Sequence, residues 1–524
     1  DSDLWTLSLT GTSAQRLTND EHDVAQPLPS PDGNLVAFSS RRSGHQDLWL
    51  VPTDASGGAR ALTHGAMAAG ELRFGHAWSP DGAQLVYVSN RADSWHDDLW
   101  LADVPSGETR RLSSSFMALG APAFSPDGSS IAAFGTPKDG FWYTHMADLY
   151  LLDPETGTER KLEGGVQPVE IGRPVWSMDG SELFFSVHQR GELDVWRIAA
   201  NGGLASRVTH SGGMIDGLAA NPRLGQLLLV RSTPQRGREV EAIDVDGGSL
   251  RRLTFLSSPW ANLQTPEEIS FRTRDGLYIQ AFVFVPPDFD RSRTYPAVVQ
   301  LHSGGTHSFY NGLNLVEQLM AQKGYVVLAV NYRGGSGFGR AFQDLSIGDW
   351  AHRQALDAVD AARWIRDQNW SNGRVGAYGY SYGGILALAA EVQAPGNFDA
   401  IASMSGIYDF ANAHAEADRL GRMFFSYGHG GSPAEVPDRY LASNLLDKIQ
   451  RVQAPVLLTH GELDRRAPFS QFEAAVEALE KHDKVFKAVS YPDEGHLFRK
   501  PDHRGDIYRQ MEAWMNRWLV ESQP

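Results

Sequence analysis

The pattern of hydrophobic and polar positions changes near the middle of the chain. In the first half, short runs rich in Val, Leu, Ile and Phe alternate with clusters of Ser, Pro, Asp and Gly. In the second half, hydrophobic runs alternate with longer amphipathic segments, such as 349–368, in which apolar residues recur on one face. The first pattern is typical of short strands joined by turns, and the second of strands alternating with helices. We therefore expect two domains, because 524 residues exceed what one hydrophobic core usually serves.

The first half repeats a phrase that combines a turn with a hydrophobic strand. Copies begin at Ser30, Ser79, Ser125 and Ser177, and a degraded copy begins at Asn221. In Ser-Pro-Asp-Gly, Pro favours the start of a turn and Gly tolerates positive φ. A second phrase, of the type Asp-Leu-Trp-Leu, alternates with the first. Units of roughly 45 residues with short strands are the signature of a β-propeller.

The number of repeats suggests a small or incomplete propeller. We count five full units and a further half unit, because the first Asp-Leu-Trp phrase, at Asp3, has no turn phrase before it. Either the propeller is small, or blades that precede residue 1 are absent from this chain. The repetition stops after Thr254, and a linker follows. We therefore assign the propeller to residues 1–262 and the second domain to 263–524.

Strands alternate with helices from Ile269 onward. The predicted strands are Ala297–His302, Tyr325–Arg333, Val375–Tyr380, Ala400–Gly406, Pro455–Gly461 and Val485–Tyr491. The predicted helices are Leu313–Gln322, Asp349–Gln368, Tyr382–Val392, Ser470–Lys481 and Ile507–Val520. This order predicts a doubly wound, mostly parallel sheet, whose chemistry lies at the carboxyl ends of the strands.

Residues 379–383 read Gly-Tyr-Ser-Tyr-Gly, which matches the pattern G-x-S-x-G. A predicted strand ends just before Ser381 and a predicted helix begins just after it. This is the setting of the nucleophile elbow of α/β-hydrolases. We therefore predict that Ser381 is a catalytic nucleophile and that the chain is a β-propeller followed by an α/β-hydrolase.

A serine hydroxyl needs a general base, which in this fold is a histidine that follows the acid in the chain. Three histidines lie beyond the predicted strand Pro455–Gly461. His482 ends an amphipathic helix and His503 is expected on a polar loop. His496 comes just after a strand and beside a glycine, so we predict it as the base.

The acid is expected between the serine and the histidine, after another strand. The segment Ala-Pro-Val-Leu-Leu-Thr-His-Gly-Glu-Leu-Asp offers Glu462 and Asp464. Asp464 lies farther into the loop, where it can reach the histidine, so we predict Asp464 as the acid. Glu462 is expected on the rim, and His460 at the strand end is expected to have a structural role.

An acyl intermediate also requires hydrogen-bond donors for its oxyanion. One predicted donor is the backbone N–H of Tyr382, the residue after the nucleophile. The other is expected in the loop 302–307 after an earlier strand, where Gly304 and Gly305 allow close approach of the backbone. We assign Gly304, the alternative being a simple glycine turn.

Composition excludes several classes of function. The formal net charge of −16, without clusters of Lys and Arg, argues against a nucleic-acid partner. No cysteine is present, and neither an H-E-x-x-H motif nor an EF-hand loop occurs, so we expect no metal and no cofactor. No segment is apolar for long enough to span a membrane. A homo-oligomer is left open. The compartment is also open, with the cytoplasm slightly favoured over the periplasm or secretion.

The propeller and the motifs GYSYGG, HGELDRRAP and DEGHLF together resemble the prolyl oligopeptidase family of serine peptidases. The resemblance covers nearly the whole chain. The segment NYRGGSGFG and the tyrosine flanking Ser381 are most similar to the acylaminoacyl-peptidase branch. The resemblance implies a triad of Ser381, Asp464 and His496, the same residues that the patterns predict. It also implies a short peptide substrate and a propeller that covers the site.

The resemblance further implies that the residue two positions after the acid holds a substrate carbonyl or carboxylate. That residue is Arg466, whose planar guanidinium suits this task, and its alternative is a surface arginine beside Arg465. The aromatic residues Phe424, Phe425 and Tyr427 are predicted to line an apolar pocket, with a core position as the alternative.

Two departures from the family pattern bear on the subclass. Acylaminoacyl peptidases usually carry His-Gly-Gly-Pro where this chain has His-Ser-Gly-Gly at 302–305. Dipeptidyl peptidases of the family hold the substrate amino group with two glutamates in the propeller. No such pair occurs there, since Glu267-Glu268 follows the repeats. Release of dipeptides from a free N-terminus is therefore less favoured.

The sequence thus predicts a serine peptidase that hydrolyses short oligopeptides through an acyl-enzyme, in the manner of acylaminoacyl peptidases. Three alternatives are left open. The protein could be a dipeptidyl aminopeptidase or oligopeptidase of the same family, or an esterase or amidase acting on small molecules with the same triad. The third alternative is a propeller interaction protein without catalysis, against which the complete triad argues.

Overall fold

The structure is a computed structural model that describes residues 2–8, 11, 13–19, 21–64, 73–93, 95–138, 147–168, 172–221, 224–257 and 262–521. In its first half, a two-stranded hairpin is followed by five antiparallel blades of a β-propeller. The hairpin contains β1 (Trp5–Leu7) and β2 (Ala14–Arg16). Blade 1 contains β3 (Val24–Pro29), β4 (Leu35–Ser40), β5 (Asp47–Pro52) and β6 (Arg60–Ala61). Blade 2 contains β7 (Arg73–Trp78), β8 (Gln84–Ser89), β9 (Asp98–Asp103) and β10 (Thr109–Arg111).

The remaining blades follow the same plan. Blade 3, whose first strand is in two pieces, contains β11 (Phe116–Leu119), β12 (Ala123–Phe124), β13 (Ile131–Pro137), β14 (Asp148–Leu152) and β15 (Glu159–Leu162). Blade 4 contains β16 (Val175–Trp176), β17 (Glu182–Gln189), β18 (Glu192–Ala199) and β19 (Ser206–Arg207). Blade 5 contains β20 (Met214–Asn221), β21 (Gln226–Thr233), β22 (Arg236–Asp244) and β23 (Arg251–Arg252). The blades correspond to the five full units that the repeats predict.

Consecutive blades pack against each other through separate hydrophobic clusters. Blades 1 and 2 share a cluster that includes Leu50 and Leu85, and blades 2 and 3 share one that includes Leu99 and Ile131. Blades 3 and 4, and then blades 4 and 5, are joined in the same way. Each blade therefore buries its hydrophobic faces against its neighbours, which explains why the strand pattern recurs at a regular interval.

The repeated turn phrase lies between the first and second strands of a blade. In blade 2, the hydroxyl of Ser79 donates to Asp81 at 2.6 Å, and the same carboxylate accepts the N–H of Ala83 at 3.0 Å. Blades 1, 3 and 4 repeat this arrangement. The aspartates of the phrase thus close the turns by hydrogen bonds to their own segment.

The second half forms one eight-stranded sheet in the order β24-β25-β27-β26-β28-β29-β30-β31. Its strands are β24 (Glu267–Arg272), β25 (Tyr278–Phe284), β26 (Tyr295–Leu301), β27 (Val326–Asn331), β28 (Ser371–Tyr380), β29 (Ala400–Met404), β30 (Val456–Gly461) and β31 (Phe486–Tyr491). β24 and β25 run antiparallel to their neighbours, and the strands from β26 to β31 are parallel.

Helices connect the strands of this sheet. They are α1 (Leu315–Gln322), α2 (Arg340–Gln343), α3 (Arg353–Arg366), α4 (Tyr382–Gln393), α5 (Phe410–Glu416), α6 (Arg419–His429), α7 (Pro437–Ser443), α8 (Ser470–Lys481) and α9 (Pro501–Met515). Two 3₁₀ turns span Asp344–Ser346 and Leu446–Arg451, and a π-helical segment, Asn516–Glu521, extends α9. Within the described ranges, no helix combines the length and the apolar character that crossing a bilayer requires.

Both faces of the eight-stranded sheet are buried. In β26, Val299 belongs to a cluster that includes Ala358 of α3, whereas Val298 belongs to one that includes Met320 of α1. Successive strand residues point to opposite faces, so an uninterrupted apolar run is required wherever helices cover both sides. This is why the strands could be located from the sequence.

The predicted elements of the second half exist, with some differences at their ends. The final helix begins at Pro501 rather than at Ile507, because proline suits the first position of a helix. His503, which was expected on a polar loop, therefore lies in α9. The antiparallel strands β24 and β25 and the helices α5 to α7 were not predicted. The three helices are short and follow one another without an intervening strand.

Candidate active site

Ser381 lies at a sharp turn between β28 and α4. Its backbone has φ 55° and ψ −119°, a conformation that residues other than glycine rarely adopt. The N–H of Ser381 donates to the carbonyl of Met404 at 2.7 Å, and the carbonyl of Ser381 accepts from Ile385 at 3.0 Å. A strained residue between a strand and a helix is the geometry of a nucleophile elbow.

Close backbone contacts require the glycines around Ser381. A Cβ atom on Gly383 would lie 2.1 Å from the carbonyl oxygen of Leu301, and one on Gly379 would lie 2.3 Å from the carbonyl carbon of Gly383. A Cβ atom on Gly384 would lie 2.7 Å from the carbonyl oxygen of Met404. Only glycine allows α4 to pack this closely against β26 and β29.

His496 lies in the loop after β31 and contacts Ser381. Its Nε2 is 2.9 Å from the Oγ of Ser381, and its Nδ1 is 2.7 Å from Oδ2 of Asp464. Because a carboxylate only accepts hydrogen bonds, Nδ1 carries the proton and Nε2 presents its lone pair to the hydroxyl. The hydroxyl of Tyr380 donates to the backbone carbonyl of His496 and so anchors this loop. In this orientation the imidazole can accept the proton of Ser381.

Asp464 lies in the loop after β30 and is only 5% exposed. Its Oδ1 accepts the N–H groups of Arg466 at 2.8 Å and of Ala467 at 2.9 Å. Burial opposes ionisation, but hydrogen bonds and charge from His460 and His496 outweigh it and lower the pKa of Asp464 to about 2. The carboxylate is therefore ionised at neutral pH and suited to orient an imidazole.

Glu462 and His460, which the sequence also offered near the acid, do not belong to this line of hydrogen bonds. His460 is buried, and its Nε2 lies 2.8 Å from the carbonyl of Ala467 and 3.4 Å from the carboxylate of Asp464. Glu462 is exposed and accepts a hydrogen bond from Ser490 at 2.8 Å. His460 thus supports the loop of Asp464, and Glu462 lies on the surface.

The two predicted oxyanion donors belong to segments that contact each other. Tyr382 is the first residue of α4, so its N–H has no intrahelical acceptor. Gly304 lies in the loop after β26 with φ 56°, and its carbonyl accepts from His307 at 2.6 Å. A Cβ atom on the neighbouring Gly305 would lie 2.9 Å from the ring of Tyr382 and 2.5 Å from that of Trp350. The loop that carries Gly304 therefore runs directly beside the residue after the nucleophile.

Arg466 lies two residues after Asp464, and an ion pair holds its side chain. Its guanidinium donates to Asp418 through Nε and Nη2, both at 2.8 Å. The side chain of Arg466 is 33% exposed. Part of the guanidinium thus stays open to solvent beside the loop of the triad, where a substrate oxygen could bind it.

The three predicted pocket residues lie on α6 and differ in exposure and in their neighbours. Phe424 is half-buried, and its ring centroid lies 4.9 Å from that of Trp350. Phe425 is only 1% exposed and packs in the core against Phe410, with ring centroids 5.7 Å apart. The rings of Phe424 and Phe425 lie 6.3 Å apart, and because consecutive residues of a helix point about 100° apart, only Phe425 is fully in the core.

Tyr427 packs against Trp350, with ring centroids 6.0 Å apart, and also lies between the two domains. It lines a largely apolar cavity of about 350 Å³ together with Trp95 and Met117 of the propeller and His414 and Met423 of the hydrolase. The ring of Phe424 lies 5.8 Å from that of the predicted oxyanion donor Tyr382.

No sequence motif identifies Trp350 as a residue of the site. Its ring is 2% exposed and lies 4.4 Å from that of Tyr382. A Cβ atom on Gly428 of α6 would lie 2.0 Å from the indole. Trp350 therefore joins α4 to α6 beneath the elbow. The only signal in the sequence is a large aromatic residue near the start of a predicted helix, which is too common to be specific.

The described part of the chain contains no group of three or more His, Cys, Asp or Glu side chains that could hold a metal ion. The acidic side chains of the site are paired with basic ones instead. Asp464 contacts His496 and His460, and Asp418 contacts Arg466.

Comparison with protein families divides the chain at the same point as the fold. Residues 67–259 match the TolB beta propeller domain, and residues 311–522 match the prolyl oligopeptidase family. The second match includes the segments that carry Ser381, Asp464 and His496.

The chain is also similar to curated proteins and to solved structures. It is 27% identical over 460 residues to dipeptidyl-peptidase 5 of Porphyromonas gingivalis. This alignment covers 84% of this chain and 66% of that protein. It is 23% identical over 487 residues to the human acylamino-acid-releasing enzyme, with the same coverage. The chain thus spans about two thirds of the length of these relatives. A puromycin-hydrolysing peptidase of Mycobacterium tuberculosis superposes with a TM-score of 0.75 at 22% identity, over 99% of this chain and 83% of that one. This match confirms the predicted fold class.

Proposed function

Because residues 311–522 place this chain in the prolyl oligopeptidase family, we propose that the protein is a serine peptidase that hydrolyses short oligopeptides. One observation carries the proposal. Ser381, His496 and Asp464 form a continuous line of hydrogen bonds with separations of 2.9 and 2.7 Å. These separations are within the reach that proton transfer between a nucleophile and its base requires.

The first step is attack of Ser381 on the scissile carbonyl carbon. As the C–O bond forms, Nε2 of His496 takes the hydroxyl proton, and the π electrons of the carbonyl move to its oxygen. We assign the backbone N–H groups of Tyr382 and Gly304 as the donors that stabilise this oxyanion. Asp464 stays ionised and stabilises the imidazolium through Nδ1.

The second step is release of the amine and hydrolysis of the ester. Collapse of the tetrahedral species breaks the C–N bond, and His496 returns its proton to the leaving nitrogen. Water then attacks the acyl-enzyme, losing a proton to His496, and the new carboxylic acid leaves as Ser381 regains its hydrogen. His496 therefore carries one proton in each half of the cycle.

N-acylated short peptides are the substrate class that we favour. The human relative is named acylamino-acid-releasing enzyme. Arg466, which is oriented by Asp418, offers its N–H groups to a carbonyl or carboxylate oxygen of such a substrate. Dipeptidyl peptidase activity is the second candidate, because the Porphyromonas relative carries that name at 27% identity. The two candidates differ in whether the amino terminus of the substrate is blocked or charged.

The propeller is proposed to restrict the size of the substrate. Its residues Trp95 and Met117 line the cavity beside α6, and Arg190 of blade 4 bonds to Gly337 of the hydrolase. The propeller thus contacts the hydrolase at two separate places. A folded protein would have to displace it to reach Ser381, whereas a short peptide would not.

A fluorophosphonate probe tests whether Ser381 is a nucleophile. We expect labelling of the wild type, loss of labelling in Ser381→Ala, and normal labelling in Ser371→Ala, at the other end of β28. No labelling of the wild type, or equal labelling of Ser381→Ala, would contradict the proposal and favour an interaction protein without catalysis.

A panel of chromogenic substrates tests the subclass. It compares an acetylated aminoacyl anilide, a dipeptidyl anilide with a free amino terminus and a simple ester. We expect the highest kcat/KM on the acetylated compound. A preference for the free dipeptide would establish the second candidate, and turnover of the ester alone would make the protein an esterase.

A further inference from the structure

A tight turn of the propeller inserts between loops of the hydrolase. The turn joins β17 to β18 in blade 4 and consists of Arg190 and Gly191, with φ of 50° and 81°. The N–H of Arg190 donates to the carbonyl of Gly337 at 3.0 Å, and the carbonyl of Gly191 accepts from the N–H of Asn311 at 2.7 Å. The side chain of Gln280 donates to the carbonyl of Arg190 at 2.8 Å. The side chain of Arg190 also donates to Glu268 of β24 at 2.7 Å, so one propeller turn is bonded to four segments of the hydrolase.

His188 is the buried side chain at the base of this turn. Its Nε2 accepts the N–H of Gly191 at 3.1 Å, and its Nδ1 lies 3.2 Å from the hydroxyl oxygen of Ser336. Burial lowers the pKa of His188 to about 3, so the ring is neutral. A neutral imidazole that accepts at Nε2 carries its proton on Nδ1 and donates it to Ser336. The ring also packs on Tyr310, with centroids 4.5 Å apart.

Ser336 connects His188 to the loop that carries the predicted oxyanion donor. The N–H of Ser336 donates to the carbonyl of Thr306 at 3.0 Å, and its carbonyl accepts the hydroxyl of Ser308 at 2.6 Å. Within that loop, the N–H of His307 donates to the carbonyl of Gly304 at 2.6 Å. A continuous series of hydrogen bonds therefore runs from the propeller to the peptide of Gly304.

Close packing along this series leaves little room for adjustment. A Cβ atom on Gly337 would lie 2.4 Å from the ring of His188, and one on Gly335 would lie 2.7 Å from the carbonyl oxygen of His307. A Cβ atom on Gly304 would lie 2.7 Å from the ring of His307. Protein interiors packed in this way transmit displacements rather than absorb them. Catalytic donors must be held within about 0.5 Å, so a shift at the turn would matter at Gly304.

We propose that His188 is a positioning residue, which holds the oxyanion loop 303–308 in its catalytic place through Ser336. Full turnover then requires that blade 4 be docked on the hydrolase. The kinetic consequence rests on the proposed peptidase function, whereas the positioning itself does not. His188 acts through Ser336 and not on the substrate.

Two conservative replacements separate the two hydrogen bonds of His188. In His188→Asn, the amide can reach the place of Nδ1 and keep the contact with Ser336. In His188→Gln, it can reach the place of Nε2 and keep the contact with Gly191. We expect His188→Asn to retain kcat within about 3-fold of the wild type. His188→Gln and His188→Ala should lower kcat by about 10- to 100-fold and leave KM within about 2-fold. The reason is that a misplacement of about 1 Å can cost about 100-fold in rate.

A control variant and a double-mutant cycle separate positioning from general damage. His76→Ala removes a buried histidine of β7 in blade 2 and tests the effect of a weakened propeller. Ser336→Ala combined with His188→Ala should lose no more kcat than the larger single loss, because both changes break one connection. The proposal would be overturned if the losses of kcat in Ser336→Ala and His188→Ala were additive in the double variant. It would also be overturned if folded His76→Ala lost as much kcat as His188→Ala. Equal kcat in His188→Asn and His188→Gln would overturn it as well.

Hydrogen exchange gives a readout that does not depend on activity. In His188→Ala the amides of 304–308 should exchange faster, while those of β29 should be unchanged. If His188→Ala does not fold, Ser336→Ala allows the same measurement, since it removes only a hydroxyl. If the wild type neither reacts with the probe nor cleaves any substrate, the proposed function fails, and the exchange result still decides the positioning. Unchanged exchange at 304–308 in a folded variant would overturn it.

Discussion

The guanidinium of Arg466 and the carboxylate of Asp418 are joined by two contacts of 2.8 Å. Asp418 is also the N-cap of α6, where it accepts the N–H of Gly421 at 2.7 Å. The backbone N–H of Arg466 meanwhile donates to Asp464. One arginine therefore ties the loop of the triad acid to the helix that carries Phe424. Its side chain is oriented without a substrate, and in the substrate role proposed for Arg466 this orientation lowers the entropic cost of binding.

This arrangement predicts that lysine cannot replace Arg466. Arg466→Lys should raise KM about 10-fold with a smaller change in kcat, because an ammonium group cannot keep both bonds to Asp418 and also face a substrate oxygen. Steady-state kinetics on the preferred anilide provide the measurement. Arg465→Ala, the exposed neighbour, should leave both constants unchanged. An unaltered KM in Arg466→Lys would show that Arg466 does not bind the substrate.

Replacement of the triad acid tests the choice between two carboxylates in one loop. Asp464→Asn should lower kcat by roughly 10⁴-fold, because the amide no longer selects the tautomer in which Nε2 of His496 is free. Glu462→Gln is the matched control, because this exposed side chain contacts only Ser490 among the described hydrogen bonds. If Glu462→Gln caused the larger loss, the assignment of the acid would be wrong.

The elbow predicts a strong dependence on one glycine. Gly383→Ala should destabilise the fold by about 1–3 kcal/mol or more, as overpacking does, because its Cβ would lie 2.1 Å from the carbonyl oxygen of Leu301. Gly58→Ala should be neutral, since no atom lies within 4 Å of its Cβ position. Thermal unfolding of both variants provides the comparison. Equal unfolding midpoints of the two variants would mean that the backbone around Ser381 accommodates the added methyl group at little cost.

Burial of Glu317 predicts a pH-dependent stability. The side chain is 4% exposed in α1, and burial raises its pKa from 4.5 to about 7. Between these values the folded chain keeps a proton that the unfolded chain releases, so stability falls as the pH rises through this window. Above it, Glu317→Gln should be more stable than the wild type by up to roughly 3 kcal/mol.

Urea unfolding at pH 4 and pH 8 measures this effect. The difference between wild type and Glu317→Gln should appear at pH 8 and vanish near pH 4. Glu473→Gln, at an exposed position of α8, should follow the wild type at both pH values. A stability gap that does not change with pH would rule out Glu317 as its source.

Much of the fold could be predicted because its elements have local causes. The strands of the hydrolase are uninterrupted apolar runs, since helices cover both faces of the sheet. The propeller blades recur with their turn phrases, since the Ser and Asp side chains bond within the turn itself. The helices α5 to α7 escaped prediction because their short patterns gain stability from tertiary packing rather than from length.

The candidate site also contains some residues that the sequence could identify and others that it could not. The segment around Ser381 could be recognised because an elbow depends on a few consecutive residues. The pocket role of the three aromatics of α6 stays a prediction, because the sequence does not show which side of a helix faces the substrate. Trp350 could not be assigned to the site from the sequence, since its contact with Tyr382 depends on how the loop before α3 packs against α4.

The sequence by itself determined the propeller repeats, the parallel sheet and the order of serine, acid and histidine along the chain. Each depends on a conformation that nearby residues impose. Only the tertiary structure decided that Asp418 orients Arg466, and that His188 of blade 4 is connected through Ser336 to the loop 303–308. His188 and Ser336 are 148 positions apart. A contact over that distance arises from the docking of two domains, which no local pattern of residues encodes.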